Sequence, residues 1–333
     1  MSSIGSARWS LDLVKCRLKS PTTKHHRMHP SRSIAELPEG LFVKYGKHVH
    51  IGEGIAMRIA RNKTSLPIPK VICMFVDADN EITYILETKL LGQRLGDVLL
   101  EMDECAQLKI GNDIINITAC LSSITPQDEH DEIVAYLQEP GYIHLPEIDE
   151  KASLIAAQSI RGGMIGRLTF SGGIFSQFCD DVCSAKSTGE FINWFGEIGG
   201  LKGRRLVTES VSKIDFDSPL IFSHGNLDVE NILVSRIPSR DTNDCTDTVE
   251  NDTKWKLTGV IDWEAAGWYP YFFDEWHNFS RSHMYQETGW TDTLVKLGFP
   301  CKINDLTPGE EAEYDASPVI AFNLIFFNAE LFG

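Results

Sequence analysis

Polar residues follow two apolar, strand-like segments in the second half of the sequence. The first polar run covers residues 224–231, and the second is Asp262 to Glu264, at the end of the segment 259–264. Within them, Asn231 and Asp262 offer an amide and a carboxylate oxygen, the ligand types that Mg²⁺ takes where it neutralises a triphosphate. Taken alone, Asn231 also fits a loop cap and Asp262 a turn residue at a strand end. Together they are a candidate Mg²⁺ site for phosphoryl-transfer chemistry.

Phosphoryl transfer also requires a lysine for the phosphates and a helix glutamate that holds this lysine. Lys44 lies in a predicted strand and Glu53 opens the next predicted helix, so the pair has the required order and spacing. Each residue alone is more typical of a structural role, Lys44 as a solvated strand-edge residue and Glu53 as a carboxylate at a helix N-terminus. Only the combination with the two polar runs favours a nucleotide site.

The elements that must position these residues change in character along the chain. Strand formers predict strands at 40–45, 70–75 and 82–86, and apolar spacing predicts one helix at 53–61 that the prolines of 64–69 stop. After Gly92 the spacing predicts helices at 95–98, 99–105, 108–124 and 191–198. Short strands at 220–223 and 257–263 flank an acidic insertion at 239–254, for which we expect a mobile, solvated loop.

Composition limits the partners and the compartment. The formal charge is −16, from 47 acidic and 31 basic residues, which disfavours nucleic acids and anionic membranes as partners. Eight scattered cysteines fit reduced thiols in the cytoplasm.

Residues 1–33 carry seven basic residues against a single acid, Asp12. We expect a solvated, disordered tail there, with a mitochondrial leader as the minor alternative.

Six motifs in this order resemble the aminoglycoside phosphotransferase and choline kinase group, in particular its fungal members. They are V-K-Y-G at 43–46, E-G-x-A-M at 53–57, T-S-L-P-I-P-K-V at 64–71, Y-I-L-E at 84–87, H-G-x-L-x-x-x-N-I-L-V at 224–234 and G-V-I-D-W-E-x-A-G-W-Y-P at 259–270. Each motif is weak alone, but the ordered set is specific and spans about residues 41–279.

The resemblance implies an α+β, two-lobed protein-kinase-like fold. Residues 34–91 would form a small sheet-rich N-lobe, and residues 92–333 a larger, mainly helical C-lobe. The cofactors would be ATP and Mg²⁺. The implied site residues are Lys44 at the α- and β-phosphates, Glu53 as its partner, Asn231 and Asp262 on Mg²⁺, and a hinge of Glu87, Thr88, Lys89 and Leu90 whose backbone meets the adenine.

This sequence departs from the family pattern at the catalytic base, because the aspartate of the H-G-D motif is replaced by Asn226. A neutral amide cannot accept the proton of a substrate hydroxyl, and loss of a general base costs about 10²- to 10⁴-fold in rate. Asp228 and Glu230 are close in sequence, but their side chains need not point to the same place. In addition, no G-x-G-x-x-G run precedes Lys44.

Three hypotheses follow for the function. The first is an ATP- and Mg²⁺-dependent phosphotransferase that acts slowly on the hydroxyl of a small molecule. The acidic composition of the protein would suit a cationic small molecule. The second is a pseudokinase that binds a nucleotide or a partner without catalysis. The third is an intact kinase whose two ends are misassigned.

We expect His224 to be a packed core residue, and the aromatic residues of 263–276 to form core or, alternatively, a cleft wall for an organic cation.

Overall fold

The fold begins with an antiparallel sheet that carries Lys44. The computed structural model describes residues 9–27, 32–77, 79–138, 185, 187–193, 214–237 and 254–299. Five strands form the sheet in the order β1-β2-β3-β5-β4, every neighbouring pair being antiparallel. They are β1 (Lys24–Arg27), β2 (Ser33–Glu36), β3 (Leu41–Gly46), β4 (Val71–Asp77) and β5 (Ile82–Thr88). The three strands predicted from the sequence are β3, β4 and β5.

One helix, α2 (Ile51–Lys63), connects β3 to β4. Nine of its residues are buried, and the six apolar ones other than glycine pack into the main core of the protein. The helix ends at Thr64, whose backbone N–H and hydroxyl both bond to the carbonyl of Ala60, and Pro67 follows three residues later. The helix predicted at 53–61 is therefore confirmed and is two residues longer at each end.

The N-terminal segment corrects the prediction of a disordered tail for residues 9–27. Ser10 caps helix α1 (Leu11–Leu18), and Val14 of this helix is fully buried in a second core beneath the sheet. Lys15 lies 2.5 Å from Asp77 and Arg17 lies 2.6 Å from Glu39. Two of the basic residues that suggested a tail thus pair with acids of the sheet-rich lobe, while β1 extends the sheet by one strand.

Helices dominate the rest of the described chain. They are α3 (Leu95–Val98), α4 (Glu104–Leu121), α5 (Pro126–Leu137), residues 188–193, α6 (Phe273–Ser282) and α7 (Trp290–Lys296). The helix predicted at 99–105 is wrong in part, because a single 3-10 turn covers Leu99–Glu101 and Asp103 then caps α4. The sequence prediction missed α5, which begins with a capping box between Thr125 and Asp128. Most of the insertion 239–254 and the end of the helix 191–198 lie outside the described residues.

Two small sheets position the polar runs. Strands β6 (Gln93–Arg94), β8 (Ile232–Ile237) and β9 (Lys254–Val260) form one sheet, and β7 (Ile221–Ser223) pairs with β10 (Gly267–Tyr269) in the other. The loop 224–231 therefore runs from β7 to β8, and residues 261–266 run from β9 to β10. The aromatic residues beyond Asp262 are buried, as the core alternative predicted: Trp263, Trp268, Tyr269, Phe272, Phe273 and Trp276.

The fold class predicted from the sequence is confirmed by this order of elements. A sheet-rich N-terminal lobe, against which helices α1 and α2 pack, precedes a mainly helical C-terminal lobe, which is the two-lobed protein-kinase-like form of an α+β fold. Across the described ranges, no helix combines the length and the apolar character that crossing a membrane requires.

Candidate functional site

Lys44 lies at the centre of a group of carboxylates. Its Nζ is 2.6 Å from Asp262 Oδ1, 2.9 Å from Glu53 Oε1 and 3.2 Å from Glu264 Oε2. The alternation of β3 explains the direction of the side chain, since Val43 is buried in the core next to α1 and Lys44 therefore faces the opposite side, toward α2. Lys44, Glu53, Asp262 and Glu264 are called the Lys44 cluster below.

Asp262 reaches the Lys44 cluster through an unusual backbone. Its φ of 62° and ψ of 66° are left-handed, a conformation that Asp tolerates better than most non-glycine residues. The preceding residue, Ile261, donates its N–H to the carbonyl of Asn231 at 3.0 Å. This bond joins the start of β8 to the end of β9, so the two predicted metal ligands come from adjacent chain segments.

Asn231 has its amide oriented by the loop itself. Its Nδ2 donates to the backbone carbonyl of Asn226 at 2.9 Å. Because the nitrogen is used as a donor, the side-chain oxygen is the atom that can serve as a metal ligand. Separately, one carboxylate oxygen from each of Glu53, Asp262 and Glu264 lies within 4.8 Å of the others, a spacing that could hold a cation. Oxygen ligands of this kind suit Mg²⁺.

The loop that carries Asn226 is fixed by a buried carboxyl. Asp274, at the start of α6, accepts backbone N–H groups from His224 at 2.9 Å and Gly225 at 2.8 Å. Burial is the largest influence on this carboxyl and raises its pKa to about 7, against the opposing effect of these hydrogen bonds. Gly225 has φ +79°, and a Cβ there would lie 2.2 Å from the carbonyl oxygen of Ala265, so only glycine fits.

His224 is a structural residue, as the sequence predicted. It is fully buried, and burial lowers its pKa to about 4. Its Nε2 lies 3.0 Å from the carbonyl of Ile261, and its Nδ1 accepts the N–H of Asn226 at 3.3 Å. These partners assign the proton of the neutral ring to Nε2. The ring packs edge-to-face on Trp263 with centroids 4.7 Å apart.

Asn226 presents an amide with an unused acceptor. Its Oδ1 is buried and has no hydrogen-bond partner among the residues that the structure describes. Neighbouring carboxylates are engaged elsewhere. Asp228 Oδ2 lies 2.7 Å from Arg281 Nε, and Glu230 accepts the hydroxyl of Tyr285 and lies 3.3 Å from Arg94. Neither carboxylate is free to take the position of a base beside Asn226.

Electrostatics separate the acidic groups of the site. Burial would lower the pKa of Lys44, but the three carboxylates outweigh it and raise the pKa well above its usual value. Burial likewise would raise the pKa of Asp262, but the Lys44 ammonium lowers it to about 2. For Glu53, burial dominates and raises the pKa to about 7, although Lys44 opposes it. Of these two carboxyls, Asp262 is therefore the one that loses its proton more readily.

The predicted hinge follows directly from β5. Thr88 exchanges two hydrogen bonds with the backbone of Lys70, and Lys89 reaches Glu36 at 3.2 Å and the face of the Phe42 ring at 5.5 Å. Glu87 is half-buried, and loss of hydration, together with the nearby charge of Glu53, raises its pKa to about 8. Leu90 packs near Gly259. Their contact with an adenine remains a prediction.

Sequence reasoning missed three residues of the site. Glu264 could have been found, because it follows Asp262 by two positions in the same motif. The anchoring role of Asp274 was not predicted. Arg32, whose Nη1 lies 2.8 Å from Glu264 Oε1, gave no signal because 232 positions separate the two residues.

Comparisons with known proteins give structural neighbours only. No protein-family model and no curated protein sequence matches this chain. The aminoglycoside phosphotransferase APH(4)-Ia is similar in structure at 10% identity and a TM-score of 0.48, covering 86% of this chain and 80% of that chain. The GDP complex of wild-type aminoglycoside 2'-phosphotransferase-IIIa has 12% identity and a TM-score of 0.47, covering 91% and 83% respectively.

A thermostable mutant of APH(4)-Ia in a ternary complex with ADP and hygromycin B is also similar, at 11% identity and a TM-score of 0.46, covering 86% of this chain and 78% of that chain. All three TM-scores lie below 0.5. The function of the present chain is therefore inferred from its own site.

Proposed function

We propose that this protein binds ATP with Mg²⁺ and transfers a phosphoryl group to the hydroxyl of a small molecule, at a rate limited by Asn226. The observation that carries the proposal is the position of Lys44, 2.9 Å from Glu53 of α2 and 2.6 Å from Asp262 after β9. A lysine on a strand, a glutamate on the next helix and an aspartate beside a loop asparagine are the parts of a phosphoryl-transfer site. They come from positions up to 218 residues apart.

Each residue of the site has a part in this proposal. Lys44 binds the α- and β-phosphates, and Glu53 holds the ammonium in place. Asp262 and the amide oxygen of Asn231 hold Mg²⁺, which when bound neutralises charge on the phosphates. The backbone of residues 87–90 borders the adenine. Asp274 keeps the loop 224–231 in shape, so that positioning contributes even without a base.

Asn226 would orient the acceptor hydroxyl without removing its proton. Its buried, unpartnered Oδ1 among the described residues is an acceptor that a hydroxyl could use. Phosphoryl transfer passes through a loose transition state that depends mainly on positioning and electrostatics. Slow turnover is therefore compatible with an amide at this position.

A cavity next to the loop supports a cationic acceptor. It has a volume of about 380 Å³ and is lined by Gly96, Asp97, Leu100, Met284, Tyr285, Gln286, Glu287 and Thr288. Gly96 donates its N–H to the carbonyl of Val229 at 3.1 Å, and Tyr285 bonds to Glu230, so the cavity borders the loop of Asn226. Two acidic side chains in its lining favour an amine-bearing molecule.

A pseudokinase is the second candidate, and the partners of Asp228 and Glu230 favour it. Because both carboxylates bind side chains away from Asn226, no residue among them replaces the missing base. In this alternative the same site binds a nucleotide without turnover. Under either function, the acidic composition disfavours nucleic acids and anionic membranes as partners, and the scattered cysteines make the cytoplasm the expected location.

Calorimetric titration with the non-hydrolysable analogue AMP-PNP, with and without Mg²⁺, tests the shared part of both candidates. We expect binding that Mg²⁺ strengthens, and loss of this binding in Lys44→Ala. The matched control is Lys47→Ala, since Lys47 is exposed and pairs with Glu81 outside the Lys44 cluster. Absence of binding by the folded wild-type protein would overturn the proposal. Release of ADP that depends on an added hydroxyl compound then separates the enzyme from the pseudokinase.

A further inference from the structure

A second cation lies beside the Lys44 cluster. Arg32 precedes β2, and its Nη1 lies 2.8 Å from Glu264 Oε1. The other oxygen of the same carboxylate, Oε2, lies 3.2 Å from Lys44 Nζ. Arg32 and Lys44 therefore converge on two oxygens of one anionic group. They come from separate segments of the N-terminal sheet, and Arg32 belongs to the region from which the sequence predicted only a tail.

The guanidinium of Arg32 has an N–H donor that is not used in the hydrogen bond to Glu264. Its Nε is buried and has no hydrogen-bond partner in the described ranges of the chain. Buried polar atoms are satisfied in the great majority of native proteins, so unsatisfied ones in a cleft point to a missing ligand. A donor without an acceptor here calls for an anion.

We propose that Arg32 binds the phosphates of the nucleotide, together with Lys44, and that Glu264 occupies the place of a phosphate in the free protein. The inference rests on the proposed nucleotide site. A guanidinium offers planar, paired N–H donors that match a phosphate as well as a carboxylate, which an ammonium does not. Exchange of the Glu264 carboxylate for a phosphate keeps both cations paired and adds an acceptor for Arg32 Nε.

Arg32 also compensates for a phosphate-binding motif that the sequence lacks. No G-x-G-x-x-G run precedes Lys44, so a glycine-rich loop with free backbone N–H groups is absent from the sequence at this place. Phosphates in a partly buried cleft need donors or positive charge near them. Arg32 directly precedes β2, the strand next to that of Lys44, and supplies both. The charge of the site then depends on two cations rather than one.

Titrations with adenosine, ADP and AMP-PNP test the inference, because they differ in the number of phosphates. The variants are Arg32→Ala, Arg32→Lys and the matched control Arg17→Ala, which removes an arginine from α1 that pairs with Glu39 outside the cluster. We expect Arg32→Ala to weaken AMP-PNP binding about tenfold to a hundredfold, as expected for charge-assisted hydrogen bonds. Adenosine binding should stay unchanged, and Arg32→Lys should be intermediate. Thermal unfolding of each variant verifies the fold.

The outcomes distinguish this inference from the proposed function. If wild type and Arg32→Ala bind AMP-PNP equally, Arg32 does not bind phosphate, although the proposed site stands. An equal loss of adenosine and AMP-PNP affinity in Arg32→Ala would also overturn the inference, because the effect would not follow the phosphates. If folded wild-type protein binds neither ADP nor AMP-PNP, the proposed function itself fails. Weakening that grows with phosphate number, absent from Arg17→Ala, is the supporting result.

Discussion

Asn226 differs from an aspartate only by an amide nitrogen in place of one carboxylate oxygen. This nitrogen removes the ability to accept a proton at neutral pH, while the shape of the side chain stays nearly the same. We therefore predict that Asn226→Asp increases hydroxyl-dependent ADP release by about 10²- to 10⁴-fold, the range for general-base catalysis. The rate of ADP release is measured with amine-bearing alcohols as acceptors.

The control for this prediction is Asn112→Asp. Asn112 lies on α4 and bonds to the carbonyl of Leu108 on the surface, so the variant changes the charge equally without touching the site. An Asn226→Asp protein that binds AMP-PNP but releases ADP no faster than Asn112→Asp would contradict the idea that this amide limits the reaction.

A second prediction at the scale of a single residue concerns Glu87 and the pH dependence of the free energy of unfolding. Burial raises its pKa to about 8 from an ordinary value of 4.5. Between about pH 4.5 and pH 8 the folded protein holds a proton that the unfolded chain has lost, so this group lowers the free energy of unfolding as pH rises through that range. Glu87→Gln stays neutral, and we expect it to gain stability relative to wild type across this range.

Urea unfolding at pH 4.5, 6.5 and 8.5 measures the difference between the two proteins. Titrating groups that do not interact with Glu87 act equally on both proteins and cancel in the difference. The exposed Glu81 supplies the control variant Glu81→Gln, for which no such gain is expected, since Lys47 lowers the pKa of that carboxyl. Parallel stability curves for wild type and Glu87→Gln would show that Glu87 ionises normally in the folded protein.

Residue types and spacing were enough to predict Lys44, Glu53 and Asp262 as candidates, because motifs of local sequence contain them. They could not predict Arg32, since its role depends on β2 lying next to β3 and on Glu264 reaching both cations. Contacts between distant segments follow from the packing of the sheet. No local pattern records them.

At the scale of elements, the loop 224–231 depends on the first turn of α6. Asp274 accepts the N–H groups of His224 and Gly225 in a buried setting. Asp274→Ala leaves both donors without an acceptor, and each such donor costs about 1–3 kcal/mol. We predict a loss of about 2–6 kcal/mol in the free energy of unfolding, measured in urea, together with weaker Mg²⁺-dependent AMP-PNP binding.

The matched variant for Asp274→Ala is Asp292→Ala, an exposed aspartate in the first turn of α7. We expect it to cost less than about 1 kcal/mol, the range of a helix-dipole interaction. Equal stability of the two variants would mean that the hydrogen bonds of Asp274 do not hold the loop.

Element boundaries show what local sequence does and does not determine. The helix α2 was predicted because its apolar spacing and the prolines after it agree. The segment 99–105 was predicted as helix from apolar spacing alone, yet Asp103 caps a new helix there and ends the earlier turn. The strand β1 was not predicted, because Lys24, His25 and His26 lack apolar alternation and pair only as the outer strand of the sheet.

At the scale of the whole molecule, the extent of the folded unit depends on whether residues 9–27 pack against the sheet. Helix α1 covers one face of the sheet with Val14, which is fully buried in the same core cluster as Ala35, Leu37 and Val43. If residues 9–27 belong to the fold, a charge at position 14 must be costly. If they formed a solvated tail, the same change would have no effect on stability.

We predict that Val14→Asp lowers the free energy of unfolding by at least about 3 kcal/mol, since it buries a carboxylate without a partner. Cys16→Asp is the control, because Cys16 is exposed on the same helix and an aspartate there costs at most about 1 kcal/mol near the helix C-terminus. Urea unfolding compares the two. Equal stability of the two variants would mean that residues 9–27 form a solvated tail. A loss of stability in Val14→Asp alone places α1 in the sheet-rich lobe that positions Arg32 and Lys44.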